Sequence, residues 1–326
     1  MTYLIDESQV RRLLPMADAI EALRDVYTAF ASGDAFEAPR SNLLVPPDGF
    51  LRLMAAAWQS RGMAGYKELH RFHGRAGVSF HLFDIESGEP LAIMAANYLT
   101  ALRTGACGGL AADILAAPDA DVLAVIGSGS EARSQIAALR AVRPIRRIQV
   151  YSRTAERREQ LCAEIDDIET EACGSPAEAV DGAQIVVAAT HSTGGLALPG
   201  DALRSAGVHV NSIGSTLPAQ REIDPEVFRR SDRVVFDAEV ALEESGDVLA
   251  AKEAGTFRAD EMVLLGDVIV GNASGRETPE QRTLYKSVGS AIQDVAMAVA
   301  VYERAMDERD QLVKVPDFQS TVTVAR

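Results

Sequence analysis

The chain has 326 residues, 47% of them hydrophobic and 24% charged, with 32 Lys and Arg against 47 Asp and Glu and a formal net charge of −15. This is ordinary globular composition, long enough for two domains with sizeable cores. So acidic a surface argues against nucleic acid and anionic membranes as partners, and no apolar run reaches the ~18 residues of a spanning helix. A small anion is not excluded, because a local cluster of arginines overrides the global sign. The first twenty residues show no basic segment leading into an apolar core and a cleavage site, so no signal peptide is expected. Cys107, Cys162 and Cys173 lack metal spacing and read as reduced thiols of a cytoplasmic protein. His70, His73 and His81 have no supporting ligand pattern, and no metal site is expected.

In chain order, MADAIEALRDVYTAFASGDA has helical apolar spacing and ends near Gly33. FLRLMAAAW, AGYKELH and VSFHLFDI then read as strands, and FDIESGEPLAIM as two strands joined by a Ser-Gly turn. A small-residue helix begins near Asn97 and carries one cation, Arg103, in LTALRTGACGG. After Pro118, short apolar strands (DVLAVIG, IRRIQVYS, AQIVVAAT, GVHVNSIG, DRVVFD) alternate with helices (SEARSQIAALRAV, TAERREQLCAEI), the pattern of a parallel sheet covered on both faces. SVGSAIQDVAMAVAVYERAMDE reads as one long helix with a nearly continuous apolar face. The expected fold class is α/β: a dinucleotide-binding domain over 119–286, plus an α+β domain from 1–118 with 287–326.

Gly127-x-Gly129-x-x-Ala132 follows a strand and opens a helix. Gly127 permits the tight turn, Gly129 lets a pyrophosphate approach the backbone, and Ala132 keeps helix and sheet close. The helix N-terminus, Ser130 and Glu131 included, offers free N–H groups to phosphates. The second strand ends in YSRT rather than in the acid that holds NAD ribose hydroxyls. Ser152, Arg153 and Thr154 suit a 2′-phosphate, which favours NADP(H), although Arg153 stacking on adenine would leave NAD(H) possible.

Together LTALRTGA, GSGSEA, NSIGS with the following proline and RE, and KSVGSAIQD resemble, in order and spacing, the ornithine cyclodeaminase/μ-crystallin family over nearly the whole chain. The resemblance implies a Rossmann domain paired with a substrate-binding and dimerisation domain, in a homodimer. It further implies that Arg103 and Arg40 hold the substrate carboxylate and that Lys67 is the active-site lysine; near two arginines, the Lys67 pKa is expected to be depressed. Thr104, Ser128, Thr190, Asn211, Ile213, Arg221, Ser287 and Gly289 join the glycine-rich loop as cofactor-binding positions, and Arg75 falls near a substrate-pocket position. Where the cyclodeaminases carry an aspartate, this chain has Thr216, which cannot act as a carboxylate base.

The resulting expectation is an NAD(P)H-dependent reductase of a 2-imino acid, an amino-acid dehydrogenase in reverse. Lys67 protonates or electrostatically activates the imine nitrogen. The HRFHGRAG segment, read as a strand end and a loop bearing Arg71 and Arg75, suggests a dicarboxylic imine such as iminosuccinate. The alternatives are a redox-neutral cyclodeaminase lyase, an opine-type reductase of condensed imines, and a crystallin-like NADPH-dependent ligand-binding protein.

Overall fold

The computed structural model describes residues 1–190, 195–203 and 205–316. By internal contact the chain divides into one unit of Met1–Pro15, Ser32–Thr100 and Ala291–Arg326 and a second of Met16–Ala31 and Ala101–Ser290. The division differs from the one expected at 118/119 and 286/287. Helix Met16–Ala31 groups with the second unit because its buried face (Ile20, Leu23, Val26, Tyr27) packs there. Arg24 ties it to Asp113 at 2.8 Å, and the Tyr27 hydroxyl lies 3.4 Å from Cys107 Sγ.

The first unit is built on strands β1 (Thr2–Ile5), β2 (Ala35–Glu37), β3 (Ser41–Val45), β4 (Gly49–Trp58), β5 (Met63–Phe72), β6 (Arg75–Asp84) and β7 (Pro90–Ala95). β4, β5 and β6 form an antiparallel meander, with β7 added antiparallel to β6 and β1 parallel to β7. Residues expected to form a loop behind Lys67 instead continue the strand to Phe72. The turn is only His73 (φ 49) and Gly74 (φ 75), the left-handed pair a two-residue hairpin requires. Helix Ala291–Met306 packs on the face of β4 and β5 that carries Met54 and Lys67.

The second unit holds an eight-stranded parallel sheet. Its strands are β8 (Val122–Ile126), β9 (Arg147–Tyr151), β10 (Glu169–Ala172), β11 (Ile185–Ala188), β12 (His209–Ser212), β13 (Arg233–Phe236), β14 (Val263–Leu264) and β15 (Thr283–Lys286). The order is β10-β9-β8-β11-β12-β15-β13-β14, so the chain leaves β8 toward one side and returns to β11 on the other. This is a Rossmann sheet, and the reversal between β8 and β11 is where such sheets open a ligand crevice. Separate apolar clusters pack about this sheet, one including Val186, Val210 and Phe236, the other Leu123, Ile136 and Leu139.

Several elements go beyond those expected from the sequence, β1 to β3, β10, β14 and β15 among them. β10 (ETEA) is polar and lies at the sheet edge, and β15 (TLYK) ends in a buried lysine. The long helix starts at Ala291 rather than Ser287. Gly289 takes φ 77, and the amides of Val288 and Gly289 donate to Asp237 instead of entering a helix. A final strand, β16 (Val313–Val315), pairs with β1 in the first unit.

The small residues of helix Asn97–Leu115 now have a purpose. A Cβ at Gly105 would lie 2.6 Å from the Ser134 carbonyl oxygen, at Gly108 2.1 Å from Gln135 Oε1, and at Gly109 3.0 Å from Ala138. The glycines bring this helix against Ser130–Val142, where Ser134 Oγ donates to the Ala101 carbonyl (2.6 Å) and Gln135 Nε2 to that of Thr104 (2.8 Å).

Candidate functional site

The glycine-rich turn grows out of β8. Gly127 adopts φ 130, and a Cβ there would stand 2.3 Å from the Ala189 carbonyl oxygen, so a side chain would separate the turn from the chain leaving β11. Gly129 is the N-cap of helix Ser130–Val142 and supplies no side-chain cap, which leaves first-turn N–H groups for an anionic ligand. A Cβ at Gly129 would meet nothing within 4 Å, so the space beside it is open. Ser130 and Glu131 occupy the first turn, and Ala132 is fully buried against the sheet.

A cavity of about 430 Å³ opens at this turn, lined by Gly127, Ser128 and Gly129, by Ser152, Arg153 and Thr154 beyond β9, and by Thr190 beyond β11. These are seven of the expected cofactor positions. Arg157 also lines it, a residue the sequence reading passed over. It lies on helix Ala155–Ala163, within a turn of Arg153, and that spacing was the available signal. Arg158, next in the chain, turns away to the Ser152 carbonyl at 2.9 Å. Two arginines and five hydroxyl-bearing residues (Ser128, Tyr151, Ser152, Thr154 and Thr190) therefore line the cavity, with no carboxylate among the described residues that line it.

Other expected cofactor positions are engaged within the second unit. Asn211 is fully buried. Its Nδ2 donates to the Gly108 carbonyl (3.0 Å) and Gln135 Oε1 (3.1 Å), and its Oδ1 faces His209 Nε2 at 2.8 Å. Rather than facing a ligand, it braces the sheet against two helices. Burial pushes His209 down to about 3, so the ring is neutral. Ile213 is buried, Thr104 is 8% exposed, and Arg221 is exposed. Ser287 Oγ and the Gly289 amide both donate to Asp237, at 2.7 and 2.6 Å.

Arg103 is 8% exposed, and its guanidinium lies flat against Gly289: a Cβ there would fall 2.6 Å from Nη1. The Asp237-bound turn thus sets one wall of the Arg103 site. Thr216 donates its backbone N–H to Gln220 Oε1 at 3.0 Å, with its hydroxyl 3.3 Å from the same atom.

In the first unit, Lys67 is 2% exposed, and its Nζ lies 2.7–2.8 Å from the carboxylate of Asp294, which is fully buried. Asp294 projects from helix Ala291–Met306, whose first amides, those of Ala291 and Ile292, donate to Glu37 Oε2 at 2.8 and 3.3 Å. The expectation that arginines set the charge of Lys67 omitted this carboxylate, which favours the ammonium form. The signal was a lone acid inside the apolar run SAIQDVAMAVAV.

Arg40 lies between β2 and β3. The register sets it beside Met54, the β4 partner of Lys67. Arg71 falls on the Lys67 face of β5 and donates to the Asp48 carbonyl at 3.2 Å. Arg75 pairs with Phe72, five residues from Lys67, and is exposed on the opposite face of the sheet. The expectation that Arg75 lines the same pocket as Lys67 therefore gains nothing from the unit's own geometry.

The model of the ornithine cyclodeaminase/mu-crystallin family matches residues 2–309. The chain belongs to that family. A full-length relative is the alanine dehydrogenase of Archaeoglobus fulgidus, 32% identical over 94% of this chain and 96% of its own. Among solved structures, the Thermococcus litoralis Δ1-pyrroline-2-carboxylate reductase in complex with NADH and L-proline superposes with a TM-score of 0.90 at 29% identity, over 96% of this chain and 100% of the other. The Paracoccus denitrificans iminosuccinate reductase in complex with NAD+ gives 0.87 at 25% identity, over 96% and 99%. Those two neighbours were solved with nicotinamide cofactors bound.

Proposed function

We propose that this family member is an NAD(P)H-dependent reductase that converts a 2-imino acid into an L-amino acid. The carrying observation is the open glycine cradle in a chain that also buries an ammonium, Lys67, against Asp294. The nicotinamide, when bound, supplies the hydride to the C=N carbon. The remaining work belongs to side chains. Arg103, held flat by the Gly289 turn, takes the α-carboxylate as a bidentate fork, and Arg40 is the second arginine assigned to that carboxylate. Lys67 Nζ gives its proton to the imine nitrogen, and Asp294 orients that ammonium. Fixing these groups before reaction replaces translational and rotational search, the source of much of the rate.

The cofactor reading favours NADP(H). Arg153 and Arg157, with the hydroxyls of Ser152 and Thr154, supply charge-assisted donors where a 2′-phosphate would lie. The protein works as a homodimer. Supporting this, Phe36, Leu43 and Leu53 are 49%, 59% and 39% exposed on the sheet face opposite Lys67.

For the substrate, a monocarboxylic imino acid, open-chain or cyclic, fits one carboxylate clamp. A dicarboxylic imine such as iminosuccinate is the second reading, favoured by Arg71 on the Lys67 face. The test is a panel of 2-oxo acids with ammonia or methylamine, plus cyclic imines, each with NADH and NADPH, followed at 340 nm. Imine-dependent oxidation with NADPH preferred is the expected result. Ligand binding or ornithine turnover without net nicotinamide oxidation would establish the binding-protein or lyase alternative instead.

A further inference from the structure

The sequence motifs contain two charged residues that the proposed reaction does not use, Glu222 in AQRE and Lys286 in YKSVG. Both are fully buried, and they meet below the crevice together with a third buried charge, Asp247. Lys286 Nζ lies 3.2 Å from Asp247 Oδ2, 3.0 Å from Ser212 Oγ and 4.0 Å from Glu222 Oε1. Two carboxylates thus share one ammonium. Taking three charges out of water is costly, and hydrophobic side chains of similar volume would often serve stability as well. Their retention calls for an account of what they hold.

Glu222 receives donors from both sides of the crevice floor. Its Oε1 accepts the Gly214 amide (2.7 Å) and Ser212 Oγ (2.8 Å), both from the β12 side. Its Oε2 accepts the Thr190 amide (2.9 Å) and hydroxyl (3.2 Å), from the chain leaving β11, and Thr190 lines the cavity. The two turns are in close contact: a Cβ on Gly214 would lie 1.9 Å from the Thr190 carbonyl oxygen. Asp247 completes the assembly, its Oδ1 accepting the amides of Glu222 (2.8 Å) and Ile223 (3.2 Å). Ser215 Oγ accepts the Asp247 amide (3.2 Å) and donates to the Gln220 carbonyl (2.7 Å). The 213–222 loop, which carries Thr216 and Arg221, is therefore pinned at both ends.

We propose that Glu222, seated by Lys286 and Asp247, is a positioning residue that clamps the Thr190 turn to the Gly214 turn, so that its negative charge is required for tight dinucleotide binding. All four groups that donate to it satisfy a carboxylate. A protonated carboxyl loses acceptor capacity and brings a hydrogen toward a backbone N–H, which loosens one turn. Burial, and then Asp247, push the Glu222 carboxyl up to about 7, while Lys286 and the two amides oppose the shift. Protonation as pH falls through that value should therefore weaken the clamp. The other groups facing Glu222 are the hydroxyls of Ser212 and Thr190.

This inference rests on reading the crevice as a dinucleotide site, but not on any substrate. The experiment titrates the protein with NADH, which has no 2′-phosphate to titrate, by nicotinamide fluorescence from pH 6 to 8. Wild type should bind several-fold more weakly at pH 6 than at pH 8, within the tenfold per pH unit that one proton allows. Glu222→Gln, which turns an NH2 group toward the Thr190 or Gly214 amide, should raise Kd by roughly tenfold or more and flatten the pH dependence. A Glu222→Gln protein with wild-type affinity and an unchanged pH profile overturns the clamp while leaving the crevice reading intact. A wild type that binds neither NADH nor NADPH overturns both. If the variant does not fold, wild-type amide exchange decides. After correction for intrinsic rates, Thr190 and Gly214 should lose protection below pH 7 while β8 does not, and equal protection at both pH values refutes the proposal.

Discussion

Replacing Asp294 by Asn tests the Lys67 assembly most directly, because the side chain keeps its shape and loses only its charge. Lys67 is 2% exposed and Asp294 fully buried, with nitrogen and oxygen 2.7 Å apart. Removing one partner of such a pair leaves the other charge in a low-dielectric interior, at a cost of ~3–5 kcal/mol. The Arg61–Glu303 pair of the same unit is a built-in control, since both its side chains are over 40% exposed. Such pairs contribute ~0–1 kcal/mol. Urea denaturation at pH 7 should therefore show a large loss of stability for Asp294→Asn and little change for Glu303→Gln, with unchanged m-values. Lys67→Met with Asp294→Leu, which removes both charges together, should cost less than either single change. Kinetically, Asp294→Asn should lower kcat with NADPH affinity preserved. A loss below about 1 kcal/mol, matching the Glu303 control, would show that the pair is not energetically buried and that Asp294 does not position Lys67.

Three further predictions concern the proposed catalytic groups and the cofactor. Lys67→Met should bind NADPH normally by fluorescence yet turn over ~10²–10⁴-fold more slowly, the range for loss of a general acid, and near-normal kcat would remove Lys67 from the reaction. In the same assay Arg103→Lys should stay poor, since a point charge cannot form a planar fork. Arg153→Glu and Arg157→Glu should each raise the NADPH Kd by roughly tenfold or more while changing NADH little. If neither moves the ratio, the cavity beyond β9 does not receive a phosphate.

The Rossmann unit was legible because its signals are local. A buried strand, two glycines and a helix within about a dozen residues can form the turn in essentially one way, and YSRT supplies its chemistry beside it. The strands β4 to β7 and the Ser-Gly turn between β6 and β7 followed from period and turn residues in the same manner, whereas the His73–Gly74 hairpin did not. The limits of local signals appeared where an element reads ambiguously in isolation. TLYK became a central strand because both neighbouring strands pair with it. SVGS stayed out of the helix because Asp237, far back in the chain, takes its amides.

Charge pairing was beyond reach for the same reason. Lys67 and Asp294 are 227 residues apart, and Asp247 and Lys286 are 39 apart. The sequence by itself determined that an acid sits in an apolar helix and a lysine at a strand end, and that each would need a partner once buried. Which partner each receives depends on sheet order and strand register. Those are settled by how apolar faces close over the whole unit, because an ion pair forms only where packing has already brought the two groups within a few ångströms.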